Sequence, residues 1–311
     1  MCNKNIVTFI NMKGGVCKTT LCVNIANTLA EMGKRVLVID LDPQFNATQY
    51  AFSVIYGKDS MEKYRALKKE GKTIFQIFKK EIEDINNDDD SIFTYNEDIS
   101  KDLGINLIVN LKDNFDFMLG DIELIKMELN QIRGTENILD EYIEKKSLRS
   151  NYEYILIDSP PTYSFFFRSA LIAADTYISP VTPDYVASLG LSLMTKAIKQ
   201  TKKLRPRERR EINLLGIVYT LINPSSTIHE PIIENINSTL LKNSKKAINV
   251  NETIRNLEST PFKEYIYRYI SIQRGVEVGN FMYDIKNNDI SRNIKLITEE
   301  FVNRMERINN E

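Results

Sequence analysis

Apolar residues fall along this chain in short, mostly continuous runs: Ile6–Met12, Arg35–Asp42, Ile105–Leu111, Tyr154–Asp158, Thr176–Val181 and Leu214–Ile222, with a shorter one at Tyr265–Ile270. Runs of this length, rich in Val, Ile and Leu and without alternation, predict strands buried on both faces, as in a parallel sheet covered by helices. Between them the apolar spacing changes to three and four residues. That predicts helices over Thr20–Met32, Ile122–Lys146, Ala187–Leu204, Glu230–Lys242 and Ser291–Ile308. Strands and helices alternating in this order predict an α/β fold, a doubly wound, mostly parallel sheet of about seven or eight strands flanked by helices.

The rhythm breaks once. Glu81–Asp102 is acidic and asparagine-rich, with little to bury, and predicts an exposed loop or insertion. Around it, from Tyr56 to Gly104, only short helical patterns such as Thr73–Lys80 occur. The expectation is one domain over residues 1–311 with an elaboration beside the sheet at about 51–104.

Composition narrows the function classes. A chain of 311 residues can bury a large core. Its net charge of −1 gives no global basic field, so any binding to nucleic acid needs a local patch. No apolar run approaches the roughly 18–20 residues of a membrane span, and Met1-Cys2-Asn3-Lys4-Asn5 leads straight into the first strand without room for a leader. A cytoplasmic protein is expected. Cys2, Cys17 and Cys22 lie close together, and the single histidine is His229, which argues against a zinc site or a disulfide framework. Cys22 is expected to pack on the first helix and His229 to be solvated.

The chemistry sits where strands end. After the first strand comes Lys13-Gly14-Gly15-Val16-Cys17-Lys18-Thr19-Thr20, opening the first predicted helix. Strand, glycine turn and helix form a phosphate-binding loop: backbone N–H groups turn inward and the helix N-terminus adds partial positive charge. In such a loop Lys18 reaches the β- and γ-phosphates and the Thr19 hydroxyl holds Mg²⁺. The usual pattern G-x-x-x-x-G-K-[ST] is missed at both outer glycines, occupied here by Met12 and Cys17, and Lys13 is an extra lysine ahead of the paired glycines. The second strand ends in Asp40-Leu41-Asp42-Pro43, whose alternation puts Asp40 and Asp42 on one face; one carboxylate can position water while the other supports the metal. A later strand ends in Asp158, an apolar run capped by a carboxylate that suits the Mg²⁺ hydration shell.

These pieces together resemble the ParA/MinD group of P-loop ATPases, and within it the ParA/Soj-type partition ATPases. The likeness is nearly continuous over residues 5–50, through Lys13–Thr20 and Asp42-Pro43-Gln44-x-Asn46-x-Thr48. It resumes at Tyr154–Pro161, at Ala174-Asp175, at Pro180-Val181-x-Pro183-Asp184-Tyr185 and at Gly190-Leu191, and is weaker at Leu215-Gly216-Ile217 and Phe262–Arg268. The resemblance implies ATP and Mg²⁺ as ligands and an ATP-dependent homodimer with nucleotide at the interface. Hydrolysis would be slow and stimulated by a centromere-binding partition protein, on nonspecific DNA of the nucleoid.

By position, the resemblance makes Lys13 the lysine that reaches the partner's phosphates and Lys18 the β/γ-phosphate ligand. Gly14, Gly15, Val16 and Cys17 supply the close backbone approach, and Thr20 bonds the α-phosphate. Thr19, Asp40, Asp42 and Asp158 surround the metal, with Asp42 orienting the hydrolytic water. The adenine is expected near Asn223-Pro224 and Tyr267-Arg268. Two positions depart from the family: Cys17 stands for a glycine and Tyr267 for a proline.

The densest basic segment holds Lys202, Lys203, Arg205, Arg207, Arg209 and Arg210. Cations closing a helix are favoured by its dipole; they also suit a salt-sensitive patch for DNA phosphates, which Lys263, Arg268 and Arg274 would extend. MinD-type relatives hold membrane through a basic C-terminal helix. Here Ile294, Ile297, Phe301, Met305 and Ile308 make one face, but acidic and basic residues mix on the other, so a helix docked on the sheet and no membrane partner are expected. The alternative reading is a MinD-like positioning scaffold for a protein or membrane cargo, without DNA. A nitrogenase iron-protein type would need later cysteines, and an arsenite-pump type a second loop.

Overall fold

A computed structural model describes residues 4–79, 106–129, 136–205, 211–246, 261–268, 280–285 and 288–310. The acidic stretch 81–102, together with Cys2, Arg207, Arg209, Arg210 and Arg274, lies outside them. The strands are β1 (Ile6–Phe9), β2 (Val36–Asp40), β3 (Val109–Lys112), β4 (Phe115–Met118), β5 (Tyr154–Asp158), β6 (Thr176–Val181), β7 (Asn213–Ile222) and β8 (Ile266–Tyr267). The main helices are α1 (Lys18–Glu31), α2 (Asn46–Tyr56), α3 (Ser60–Lys69), α4 (Ile138–Lys145), α5 (Phe165–Ala173), α6 (Ala187–Thr201), α7 (His229–Lys246) and α8 (Asn288–Asn310).

The strands form one eight-stranded sheet in the order β3-β4-β2-β5-β1-β6-β7-β8. All neighbours are parallel except β3 and β4, which pair antiparallel. Each central strand is buried on both faces, and alternate residues feed two cores. Val7, Phe9, Val36, Val38, Tyr154 and Leu156 pack on the side of α1, α2 and α8. Ile6, Ile10, Leu37, Ile39, Ile155 and Ile157 pack on the side of α4, α5 and α6. The predicted doubly wound architecture follows from this two-sided burial.

Three details differ from the sequence expectation. The strand expected at Ile105–Leu111 begins four residues later, and a further strand, β4, lies between it and β2. A turn at Asp113-Asn114 joins the two, with Asn114 at φ 59, a backbone conformation that asparagine tolerates well. Asp116 interrupts the apolar run of β4 and hides it from periodicity; its carboxylate accepts from Tyr152 Oη (2.6 Å) and Asn110 Nδ2 (2.8 Å). The helix expected over Ile122–Lys146 is described as separate pieces, a helical turn at Ile122–Leu124, Ile125–Leu129 and α4.

The C-terminal helix is docked, as expected: Ile290, Ile294, Ile297, Phe301, Met305 and Ile308 are all buried. Cys22 is fully buried on α1. Among the described residues no helix is long and apolar enough to cross a membrane.

Candidate functional site

Parallel strands bring their C-terminal tips to one edge, and in open α/β sheets that edge is the ligand crevice. Here β2, β5 and β1 are neighbours, with Asp40 in register with Asp158 and Asp158 with Phe9. The loop leaving β1 therefore starts beside two carboxylates. It is tied down from both sides. Asn11 donates to Pro180 O (2.7 Å) and accepts from Lys13 N (2.9 Å), Ser159 donates to Phe9 O (2.7 Å), and Thr220 donates to Val16 O (3.1 Å). Asn11, Thr220 and Ser159 were not singled out from sequence; Asn11, a polar residue closing an apolar run just before glycines, was the available signal.

The loop turns through left-handed backbone at Gly15 (φ 71) and again at Cys17 (φ 63). Gly14 and Gly15 are exposed, with nothing within 4 Å of where a Cβ would stand, so the approach to their backbone is open. Cys17 then begins α1, and no side chain caps that helix. Its first N–H groups are consequently left for an anion. Thr20 lies partly exposed in this first turn.

The two lysines of the loop behave differently. Lys18 is buried, and its Nζ lies 3.3 Å from Lys13 O, curled into the cradle. Burial pulls its pKa down, opposed by the nearby carboxylates of Asp158 and Asp42. The Lys13 side chain stands outside the cradle, about a third exposed (35%), and is ion-paired with Asp184. Asp184 follows β6 and also accepts from Val186 N (3.1 Å).

The carboxylates divide as well. Thr19 Oγ1 donates to Asp158 Oδ2 (2.7 Å), while the other Asp158 oxygen is buried without a partner. Burial pushes the Asp158 carboxyl up to about 7, with Thr19 opposing and Asp42 adding to the shift. Asp40 is fully buried; one oxygen accepts from Thr48 N (2.8 Å) and Thr48 Oγ1 (2.7 Å), and the other has no partner. Burial, then the charge of Asp158, hold Asp40 well above the usual carboxylate range. Half of this carboxylate is thus committed to the first turn of α2, so Asp40 anchors the loop that follows β2. Asp42 accepts from Gln44 N (2.9 Å) and is also raised by burial, opposed by that N–H and by Lys18.

These donors fit Mg²⁺. Two buried carboxyl oxygens lack partners beside a hydroxyl, an arrangement that favours a cation. No group of three His, Cys, Asp or Glu side chains among the described residues is placed to hold a metal by itself. One hydroxyl with carboxylates behind it suits an ion that keeps waters and shares phosphate oxygens.

The adenine expectation divides. Pro224 and Tyr267 line one cavity of about 400 Å³ with Glu264, Asp289, Arg292, Asn293 and Leu296. Arg268 N continues the β7–β8 pairing onto Ile222 O (2.8 Å). Asn223 is not in that lining; it organises the turn after β7, donating its N–H to His229 Nδ1 (3.2 Å) and accepting from Ser225 N (3.1 Å). His229, expected to be merely solvated, is therefore a turn acceptor.

The basic patch needs correction. Arg205 is buried, and its guanidinium donates to the carbonyls of Leu171, Ile172 (3.2 Å) and Glu211 (3.4 Å). Helix α5 leaves its last carbonyls without intrahelical partners, and Arg205 satisfies two of them. Lys202 pairs with Glu211 at 2.5 Å; Lys203 is exposed.

Comparison with known proteins agrees with this geometry. A family model described as an AAA domain matches residues 4–214. The chain is 27% identical to the sporulation initiation inhibitor protein Soj of Bacillus subtilis over 273 residues, covering 88% of this chain and 94% of Soj. It is 26% identical to the chromosome partitioning protein ParA of Myxococcus xanthus, covering 88% and 84%. Its fold matches the crystal structure of a putative plasmid partition protein from Borrelia burgdorferi bound to AMPPNP, with a TM-score of 0.66 at 20% identity, covering 97% of this chain and 99% of that one.

Proposed function

The chain belongs to the ParA/MinD-type family of partition ATPases, and from that premise we propose that it is an ATP-switched DNA segregation protein. It binds Mg²⁺-ATP, pairs with a second copy across the nucleotide, holds DNA nonspecifically in that state and releases it on slow hydrolysis to ADP and phosphate. The observation that carries this reading is the separation of the two loop lysines, Lys18 inside the cradle and Lys13 outside it on Asp184. A lysine that served only its own nucleotide would share the cradle with Lys18. One held at its rim is placed to turn toward a facing copy.

Each residue then has a task. The N–H groups of Gly14 through Thr20 and the α1 terminus take the phosphates. Lys18 neutralises the β- and γ-oxygens, and its buried position makes that charge count for more than in water. Thr19 and Asp158 would hold Mg²⁺, which supplies further charge neutralisation at the same oxygens when bound. Asp42, tied to Gln44 N and within electrostatic reach of Lys18, orients the attacking water. Lys13 of the facing copy stabilises charge developing on the transferred phosphoryl group, as an arginine finger does. Because the dimer exists only around ATP, hydrolysis shifts the population back to monomers. The adenine lies toward Pro224 and Tyr267, and a centromere-binding partner accelerates turnover by ordering the Asp42 loop.

The test separates binding from turnover. Lys18→Ala should lose ATP affinity, whereas Asp42→Ala should keep ATP bound and lose hydrolysis. Intact hydrolysis in Asp42→Ala with ATP still bound would contradict the assignment. A scaffold reading without DNA gains from the buried Arg205, which removes one cation from the expected patch. DNA retardation with ATP, then ADP, at low and high salt distinguishes the two: salt-sensitive retention in ATP alone supports segregation, and no retention at any salt supports the scaffold.

A further inference from the structure

Helix α3 lies in the elaboration for which the sequence offers no role, and it takes no part in the phosphate cradle. It nevertheless grips the turn that carries Asp42. That turn runs Asp42-Pro43-Gln44-Phe45 and closes with Phe45 N donating to Asp42 O (2.8 Å). Phe45, at its end, has left-handed backbone (φ 43, ψ 38). A bulky aromatic residue adopts that conformation only when its surroundings hold it there.

Tyr64 of α3 supplies the hold. Its ring stacks on Phe45 with centroids 5.2 Å apart and planes within 9°. Its hydroxyl donates to Gly120 O (3.1 Å), and the residue is buried. Gly120 closes the third side. A Cβ there would stand 2.7 Å from Phe45 Cβ and 2.8 Å from Asp40 Cγ, so the backbone presses directly on the turn. Gly120 N donates to Thr48 Oγ1 (2.8 Å), the hydroxyl that in turn donates to Asp40. The neighbouring Asp121, buried, accepts from Lys68 Nζ (2.5 Å) and Thr73 Oγ1 (2.8 Å), which fastens α3 and the segment after it to the same backbone.

We propose that Tyr64 is a positioning residue for hydrolysis: through its stack on Phe45, α3 sets the orientation of the Asp42 turn. The proposal rests on the reading of Asp42 as the residue that orients water. The elaboration thereby becomes a rate-setting element of the site, and a contact that shifts α3 reaches Asp42 through the Tyr64–Phe45 stack, with the Gly120 backbone beside it.

Steady-state ATP hydrolysis and ATP binding by the full chain decide this, with Asp42→Ala alongside. Tyr64→Leu should lower kcat by about tenfold, since small misplacements of a catalytic group have large effects, while ATP affinity changes by less than about twofold. Tyr64→Phe, which keeps the stack, should retain at least about half of kcat. Phe45→Leu should reproduce the loss, and the double variant Phe45→Leu/Tyr64→Leu should be no slower than the slower single one, because both remove the same contact. Phe45 is only half-buried, so its variant gives a decisive measurement even if Tyr64→Leu fails to fold. Unchanged or raised kcat in Tyr64→Leu or Phe45→Leu overturns the proposal, as do losses of kcat and ATP affinity in equal measure or losses that add in the double variant. If those variants keep kcat while Asp42→Ala loses it, only this inference fails. Turnover surviving in Asp42→Ala removes the reading beneath it as well.

Discussion

Cys17 occupies a backbone conformation that suits glycine, and its side chain is partly buried at the entrance to α1. The left-handed strain inverts an ordinary preference. At most positions Ala is more stabilising than Gly, but at φ 63 the Cβ is the liability, so Cys17→Gly should be more stable than Cys17→Ala by about 1 kcal/mol in chemical denaturation. Equal stabilities would mean that the loop relaxes out of this conformation. The thiol itself is dulled. Burial raises its pKa from the ordinary 9.0 to about 11, only partly offset by Lys18. Because only the thiolate reacts, alkylation of Cys17 at pH 8 in a Cys2→Ser background should be about a hundredfold slower than that of an exposed thiol. The sign is definite: a raised pKa keeps the group protonated, so the rate should still climb between pH 9 and 10, where an exposed thiol levels off. Bound ATP should slow the reaction further, as a ligand on the loop covers it.

At the scale of elements, the strand tips matter more than the helices between them. Gly120, just past β4, shows how tightly: Gly120→Ala should cost roughly 1–3 kcal/mol, read from the denaturation midpoint, because its Cβ meets Phe45 and Asp40 and neither is free to move. The cradle, Asp42 and Asp158 were all legible in the sequence, because each follows an apolar run directly and a parallel sheet brings the ends of such runs together. Less legible was whatever depends on two distant segments meeting. β4 was hidden because Asp116 breaks its apolar pattern while accepting from Tyr152, whose position only the fold reveals. Arg205 read as a surface cation because composition does not show that the carbonyls of α5 lie beneath it. The tie of one Asp40 oxygen to Thr48 was not legible, because the spacing of Asp40 from Asp42 says nothing of α2. Tyr64 carried no signal, since a lone tyrosine in an elaboration looks like core.

At the scale of the molecule, the proposal is a switch between one chain and two. The Lys13–Asp184 pair opposes that switch weakly. Both side chains are about a third exposed (35% and 34%), and pairs of that kind contribute less than about 1 kcal/mol. Each dimer breaks two such pairs, so Asp184→Asn should shift ATP-dependent dimerisation, measured by sedimentation, to protein concentrations lower by no more than about thirtyfold; a shift to higher concentrations would assign Asp184 to the dimer contact instead. The central claim is that Lys13 serves the nucleotide of the facing copy, and mixing two inactive variants tests it most directly. In a mixed dimer of Lys13→Ala and Asp42→Ala chains, one of the two sites has an intact Asp42 and receives an intact Lys13 from across the interface. Equimolar mixing should then restore ATP hydrolysis to about a quarter of the wild-type rate, half of the dimers being mixed and each having one complete site. If Lys13 acted on its own chain's nucleotide, the mixture would stay as inactive as its parts, and that result would contradict the account.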